Sequence, residues 1–190
     1  MSRRRPSGTV LLRGAAAAVV AIAAVAVAVR ASPQAPPPSS INTQKASWEL
    51  PRLGSPGELS LASLRGHPVV VDFFASWCYA CQGELPGMAT VSAQLKGRVT
   101  FVGVNSQETG DGLAMARRYG IDGWPLASDR GGSQDSGLRD DLGAAVMPVT
   151  AFYSASGKLL EVVPGAISEA DLRTRIHDLF GVATVAAVAP

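Results

Sequence analysis

Cys78 and Cys81, the two cysteines of this chain, sit two residues apart in "DFFASWCYACQGELP". A bridge across that spacing closes almost no loop and so removes little entropy from the unfolded chain. An idle structural disulfide is therefore a poor account of the pair. A zinc half-site needs a second pair of ligands, yet the chain has no further cysteine and only His67 and His177. Thiol–disulfide exchange remains. The apolar run before Cys78 reads as a strand and the residues from Tyr79 as a helix, which puts Cys78 at a helix N-terminus. Unpaired first-turn amides and the helix dipole favour a thiolate there. Cys78 is then the expected nucleophile, and Cys81, about one turn on, the thiol that resolves the mixed disulfide.

Asp72 interrupts the apolar run "VVVDFF". A carboxyl buried in a strand is unfavourable unless it serves or is satisfied. Burial raises its pKa, which suits it to exchange a proton with Cys81 through water. The other option is a bulge that turns Asp72 to solvent. Glu84, three residues after Cys81, falls on nearly the same helix side, either as a second proton relay or as a solvated position. Pro86 lies inside the expected helix, where it removes a hydrogen bond and should kink or break the axis. Pro148 opens the run "PVTAFY", and a proline in a strand is confined to an edge or first position. Spacing alone makes a trans Met147–Pro148 bond the default. A cis bond would expose the Met147 backbone to an incoming extended peptide.

The elements that must position these residues alternate along the chain. "WELPRL" and "GELSLASL" read as short strands joined by a turn at Gly54-Ser55-Pro56-Gly57. Residues 68–75 form a continuous apolar run and read as a central strand. A helix is expected over residues 79–95, a buried strand over 99–105, and a helix over 109–119 ended by Gly120. Residues 148–153 and 158–163 form a hairpin across "SASG". Ser168 caps a helix over 168–180, with Leu172, Ile176 and Leu179 on one face. The Trp124–Pro125 pair either lines the site or packs beneath it. Strand–helix–strand followed by hairpin and helix predicts an α/β sandwich on a mixed central sheet.

Outside that domain, composition changes. "MSRRRPSGTVLLR" carries no acid and precedes the unbroken apolar block "GAAAAVVAIAAVAVAV", the pattern of a signal peptide or signal anchor over residues 1–30. Cleavage fits the small-residue sites Ala26-Val27-Ala28 and Val29-Arg30-Ala31. Spanning fits if Thr9 to Leu12 join the block, giving about 21 residues. Either way the positive-inside rule places the rest outside the cytoplasm, where disulfides persist. Residues 31–46 are a Pro/Ser-rich linker, residues 47–180 the folded domain, and residues 181–190 a flexible tail. Five Arg of the leader account for the net charge of +2; the remainder, with 12 Lys and Arg against 15 Asp and Glu, is net −3. Such a slightly acidic domain has no electrostatic footprint for nucleic acid.

These residues resemble the thioredoxin superfamily. The pattern is "WCYAC", Asp72 six positions before Cys78, Pro86 five after Cys81, and "VMPVTAFYSASGKLLEVVPGAIS". Within it the chain looks most like the membrane-tethered TlpA/ResA/CcmG branch, through its leader, the residues before the central strand, Glu84 in "CQGELP", and a segment containing "RRYGIDGWPLASDRGG". The resemblance implies a thioredoxin-like α/β fold with an N-terminal strand extension and a mid-domain insertion. It also implies a redox-active Cys78–Cys81 disulfide, a cis Met147–Pro148 bond, and substrate contact by Trp77, Met147 and Pro148. No cofactor beyond the cysteine pair is implied. The partners implied are protein thiols and disulfides, apocytochrome c among them, and a membrane electron donor or acceptor. A reductant is the role the resemblance favours, with an oxidant of secreted proteins as the alternative. A copper-binding chaperone of the same fold would need Cys-x-x-x-Cys and a suitably placed His. The dipeptide Tyr79-Ala80 departs from the Gly-Pro and Glu-Pro of relatives, so no reduction potential carries over.

Overall fold

A run of six residues, "VVVDFF", buried along its whole length, forms the middle of the sheet. The computed structural model describes residues 47–183. The expected leader and linker, and residues 184–190 of the expected tail, lie outside the described residues. In chain order the elements are β1 (Glu49–Pro51), β2 (Glu58–Ser60), β3 (Val69–Phe74), α1 (Tyr79–Gln94), β4 (Thr100–Ser106), α2 (Gly112–Arg118), β5 (Leu126–Asp129), α3 (Leu138–Asp141), β6 (Val149–Tyr153), β7 (Leu159–Pro164) and α4 (Glu169–Phe180). The sheet runs β5-β4-β3-β6-β7, with β3, β4 and β5 parallel and β6 and β7 antiparallel.

Alternation along β3 divides its side chains between two faces. Val69, Val71 and Phe73 pack with Trp48, Leu50 and Leu59 of the N-terminal hairpin and with Leu138 and Leu142. Val70 meets Met88, Val91 and Leu95 of α1 and its C-cap, and Leu172 and Ile176 of α4. Phe74 meets Cys78, Cys81 and Leu85. Asp72 shares the face of Val70 and Phe74 and is therefore directed beneath α1. The strand ladder is regular through Asp72, which pairs with Gly103 on β4 and Thr150 on β6; no bulge turns it outward. At Gly103 a Cβ would stand 2.8 Å from Leu126 and 3.0 Å from Phe74, so its absence lets those two side chains close over the strand.

Three departures from the sequence reading stand out. "GELSLASL" is a strand only over Glu58–Ser60, because Ser60 Oγ caps a 3₁₀ turn over Leu61–Leu64 by accepting the Ser63 N–H at 3.3 Å. The helix expected over 109–119 starts at Gly112, because Asp111 Oδ1 caps it by accepting the Ala114 N–H at 2.9 Å. The segment read as an insertion contributes a sheet strand, β5. Its residues, "LASD", include no β-branched or aromatic side chain to announce a strand. The N-terminal extension docks on that strand. Arg52 bridges Ala127 antiparallel, and the Leu53 N–H donates to Leu126 O at 3.0 Å, so the sheet edge is covered.

The remaining elements follow the sequence closely. Helix α1 continues through Pro86. Ser168 Oγ caps α4 by accepting the Asp171 N–H at 3.1 Å, and Gly181, at φ 67°, ends it. The first residues of the expected tail are held: Val182 packs on the α1–α4 core, and Arg98 donates to Ala183 O at 3.2 Å. Trp124 is partly buried and packs on both the α1–α4 core and the cluster that holds Cys78 and Cys81. Its ring lies 5.3 Å from Phe101, and its Nε1 donates to Ser92 Oγ at 3.0 Å, in the last turn of α1.

Candidate active site

Cys78 is the N-cap of α1, with extended backbone, and forms a disulfide with Cys81. The Cys78 N–H donates back to Ala75 O at 3.0 Å, turning the chain from β3 into the helix. The Cys81 N–H donates to Cys78 Sγ at 3.1 Å, so the sulfur occupies the place where a capping oxygen would sit. Cys78 is 4% exposed and Cys81 is fully buried. An attacking group from outside therefore meets Cys78 first. The large hydrophobic side chains most exposed among the described residues are Trp77, Tyr79 and Val146, on both chain segments that flank the disulfide. Met147 packs on the cluster holding Cys78 and Cys81. The Met147–Pro148 bond is cis, as the resemblance implies and against the default set by spacing alone.

Beneath the helix lies a pair of acids. Asp72 is fully buried, and among the described residues its two oxygens meet no N–H or hydroxyl donor; the acid whose charge they feel is Glu84. Glu84 is not at a solvated position: it is 6% exposed, and its Oε2 accepts the Ile167 N–H at 2.8 Å. Two carboxyls in such contact need a proton between them. Burial first, then the charge and hydrogen bond of Glu84, hold the Asp72 pKa well above the ordinary carboxylate range. Burial also pushes Glu84 up to about 7, against the hydrogen bonds from Ile167 and Asp72, which favour its ionised form. Both shifts run the same way, so the pair holds a proton above the ordinary carboxylate range.

A third acid, Glu108, escapes a reading of the sequence. It follows β4, is 5% exposed, and accepts four hydrogen bonds. Oε2 takes the Ser76 N–H at 2.8 Å and Asn105 Nδ2 at 2.7 Å; Oε1 takes Ser76 Oγ at 2.5 Å and the Gly110 N–H at 2.7 Å. Burial opposes its ionisation, but the bonds from Asn105, Ser76 and Gly110 outweigh it and hold its pKa down to about 2. Next to it, Gln107 O accepts Trp77 Nε1 at 2.7 Å. One signal could have found this residue: functional groups gather at the carboxyl ends of adjacent parallel strands, and "NSQE" ends the strand beside the one that leads to Cys78.

Together the mixed sheet, the Cys-x-x-Cys disulfide capping the helix behind its central strand and the neighbouring proline define a thioredoxin-like protein. The sequence profile of the AhpC/TSA family matches residues 41–162, and the chain belongs to that family, on the TlpA/ResA/CcmG side of the thioredoxin superfamily. It is similar to the thiol-disulfide oxidoreductase ResA of Oceanobacillus iheyensis, 28% identical over 122 residues, which are 64% of this chain and 62% of that protein. The ResA of Bacillus subtilis is 29% identical over 122 residues, 63% of each. The match thus spans a little under two thirds of these relatives' length. Among solved structures, a secreted Mycobacterium tuberculosis disulfide oxidoreductase homologous to Escherichia coli DsbE superposes with a TM-score of 0.58 and 25% identity, over 71% of this chain and 98% of the other. The fold class expected from the sequence is the one found.

Proposed function

We propose that this chain is a thiol:disulfide oxidoreductase that works outside the cytoplasm and exchanges disulfides with protein substrates, acting as a reductant. The observation that carries the reading is Cys78 at the N-cap of α1, its sulfur facing the first-turn N–H of Cys81 at 3.1 Å. That N–H and the helix dipole stabilise the thiolate that attacks. The relatives named thiol-disulfide oxidoreductase support the class of reaction, and the basic, apolar leader and the secreted neighbour support the location. Among the described residues no helix is long and apolar enough to cross a membrane.

In the proposed cycle the Cys78 thiolate attacks a substrate disulfide, forms a mixed disulfide, and releases one substrate thiolate. Cys81 then loses its proton through an intervening water to the Asp72–Glu84 pair and attacks Cys78 Sγ. The second substrate thiolate leaves and the Cys78–Cys81 disulfide forms. Substrate gains two electrons and the chain loses two. The carboxyl pair keeps the proton until a donor thiolate attacks Cys78 and Cys81 departs as a thiolate that needs it. Glu84, at the edge of the buried pair, is the route by which that proton exchanges with solvent. Trp77, Met147 and Pro148 flank the disulfide and contact the substrate chain. The cysteine pair is itself the redox group, without metal or organic cofactor. Apocytochrome c before haem attachment is the substrate the resemblance favours, with a membrane protein supplying electrons.

Mixing the reduced, purified chain with a disulfide-bonded protein tests this reading. One substrate disulfide should be reduced per chain, with the chain losing two protons' mass and then stopping for want of a donor. Exchange no faster than the uncatalysed background would reject it.

A further inference from the structure

The four bonds to Glu108 converge from two loops that are distant in sequence. Ser76 lies between β3 and α1; Asn105, Glu108 and Gly110 lie at the end of β4 and in the loop behind it. Ser76 is two residues before Cys78, and Glu108 holds it by both backbone and side chain. The loop continues into Gln107, which has φ 50°, a left-handed conformation uncommon for a residue other than glycine. Gln107 is fixed there on three sides. Its N–H donates to Asp129 O at 3.1 Å, its Oε1 accepts Arg139 Nη1 at 2.6 Å, and its carbonyl accepts the Trp77 indole at 2.7 Å. A non-glycine residue stays in such a conformation only where its surroundings over-determine it.

We infer that Glu108 is a positioning residue for disulfide exchange: its carboxylate, through Ser76 and Gln107, holds Trp77 and the backbone entering Cys78 in the geometry that meets substrate. The inference rests on the exchange-site reading above and adds a residue that touches neither sulfur nor substrate. What the site requires is an acceptor on both oxygens. A glutamine of the same shape turns one of them into a donor. If that amide faces Oε2's partners, it opposes the Ser76 N–H and Asn105 Nδ2. If it faces Oε1's partners, it opposes the Gly110 N–H, which has no way to become an acceptor. Asn105 can reverse its amide only by giving up its bond to Phe74 O at 3.3 Å. In either orientation one backbone N–H loses its partner, and a buried donor without a partner drives the loop to move.

The test uses full-length Glu108→Gln, with 5-fluorotryptophan incorporated and the Trp77 resonance assigned by Trp77→Phe. The variant should show a moved Trp77 ¹⁹F line while Trp48 and Trp124 keep theirs. Its kcat/KM for a protein disulfide should fall about tenfold or more. An unmoved Trp77 line overturns the inference whether or not the rate falls, because the effect would then not run through Trp77. A moved line at the parent rate overturns it as well. Should Glu108→Gln fail to fold, Ser76→Ala decides: it keeps the carboxylate, removes one of the four bonds, and should move the same line and slow exchange about fivefold. Parent behaviour in both readouts rejects the role. If the parent chain itself shows no exchange, the exchange reading falls, and the resonance comparison still decides whether Glu108 holds Trp77.

Discussion

Cys78→Ser is expected to bring disulfide exchange down to the uncatalysed background, whereas Cys81→Ser is expected to stop halfway with the substrate covalently attached. The asymmetry follows from position. Cys78 caps α1 where the first-turn amides and the dipole favour negative charge on sulfur, and a serine hydroxyl has no comparable anion at neutral pH. Cys81 is fully buried one turn on and bonded to Cys78. Without it the mixed disulfide has no internal thiol to resolve it. Mass spectrometry of each variant after mixing with a disulfide-bonded protein, under non-reducing conditions, checks both halves. A substrate adduct on Cys81 in Cys78→Ser would reverse the assigned order of attack.

Asp72→Asn is expected to slow the resolving step on the order of 10²-fold, the usual contribution of a group positioned in proton transfer, because Asp72 passes the Cys81 proton on to Glu84, while making the oxidised protein more stable at alkaline pH. Both effects come from the same buried carboxyl. Asp72 holds its proton in the folded chain well above the ordinary carboxylate range, mainly because of burial. In the unfolded chain it ionises freely above about pH 4. Stability therefore falls as pH rises from there until the folded group also ionises. Asparagine has nothing to ionise and removes that loss. Glu84→Gln makes the comparison quantitative. Its folded pKa of about 7 against an ordinary 4.5 corresponds to at most about 3 kcal/mol lost between those pH values. The glutamine can still accept the Ile167 N–H. Chemical denaturation of parent and variants at pH 4 and pH 8 should show curves that converge in acid and separate in base. Variants that are no more stable than the parent at pH 8 would contradict the buried, proton-holding pair.

The cysteines, Asp72 and the strand that carries them were legible because their signals are local: two thiols at a helical spacing, and one acid in an apolar run. The β6–β7 hairpin and the Ser168 cap of α4 were legible for the same reason. Glu84 was open between two readings, and what removes the solvated one is Ile167, 83 residues away, whose N–H meets the carboxylate as the chain enters α4. Glu108 was passed over because an acid after a strand reads as solvated. Its burial depends on a loop 32 residues earlier folding over it. Strand β5 was missed because pairing with β4 and the covering N-terminal hairpin make it a strand, with no help from its own residues. The placement of a side chain was readable where residue type and local pattern set it, and unreadable where long-range hydrogen bonds set it.

The most direct test of the central claim is the reduction potential of the Cys78–Cys81 pair, equilibrated against defined thiol buffers. The account expects one reversible two-electron couple at or below about −250 mV, the range of a thioredoxin-like reductant. A couple near about −120 mV would reverse the proposed direction and mark an oxidant of folding proteins. No reversible couple at all would contradict the account at its root.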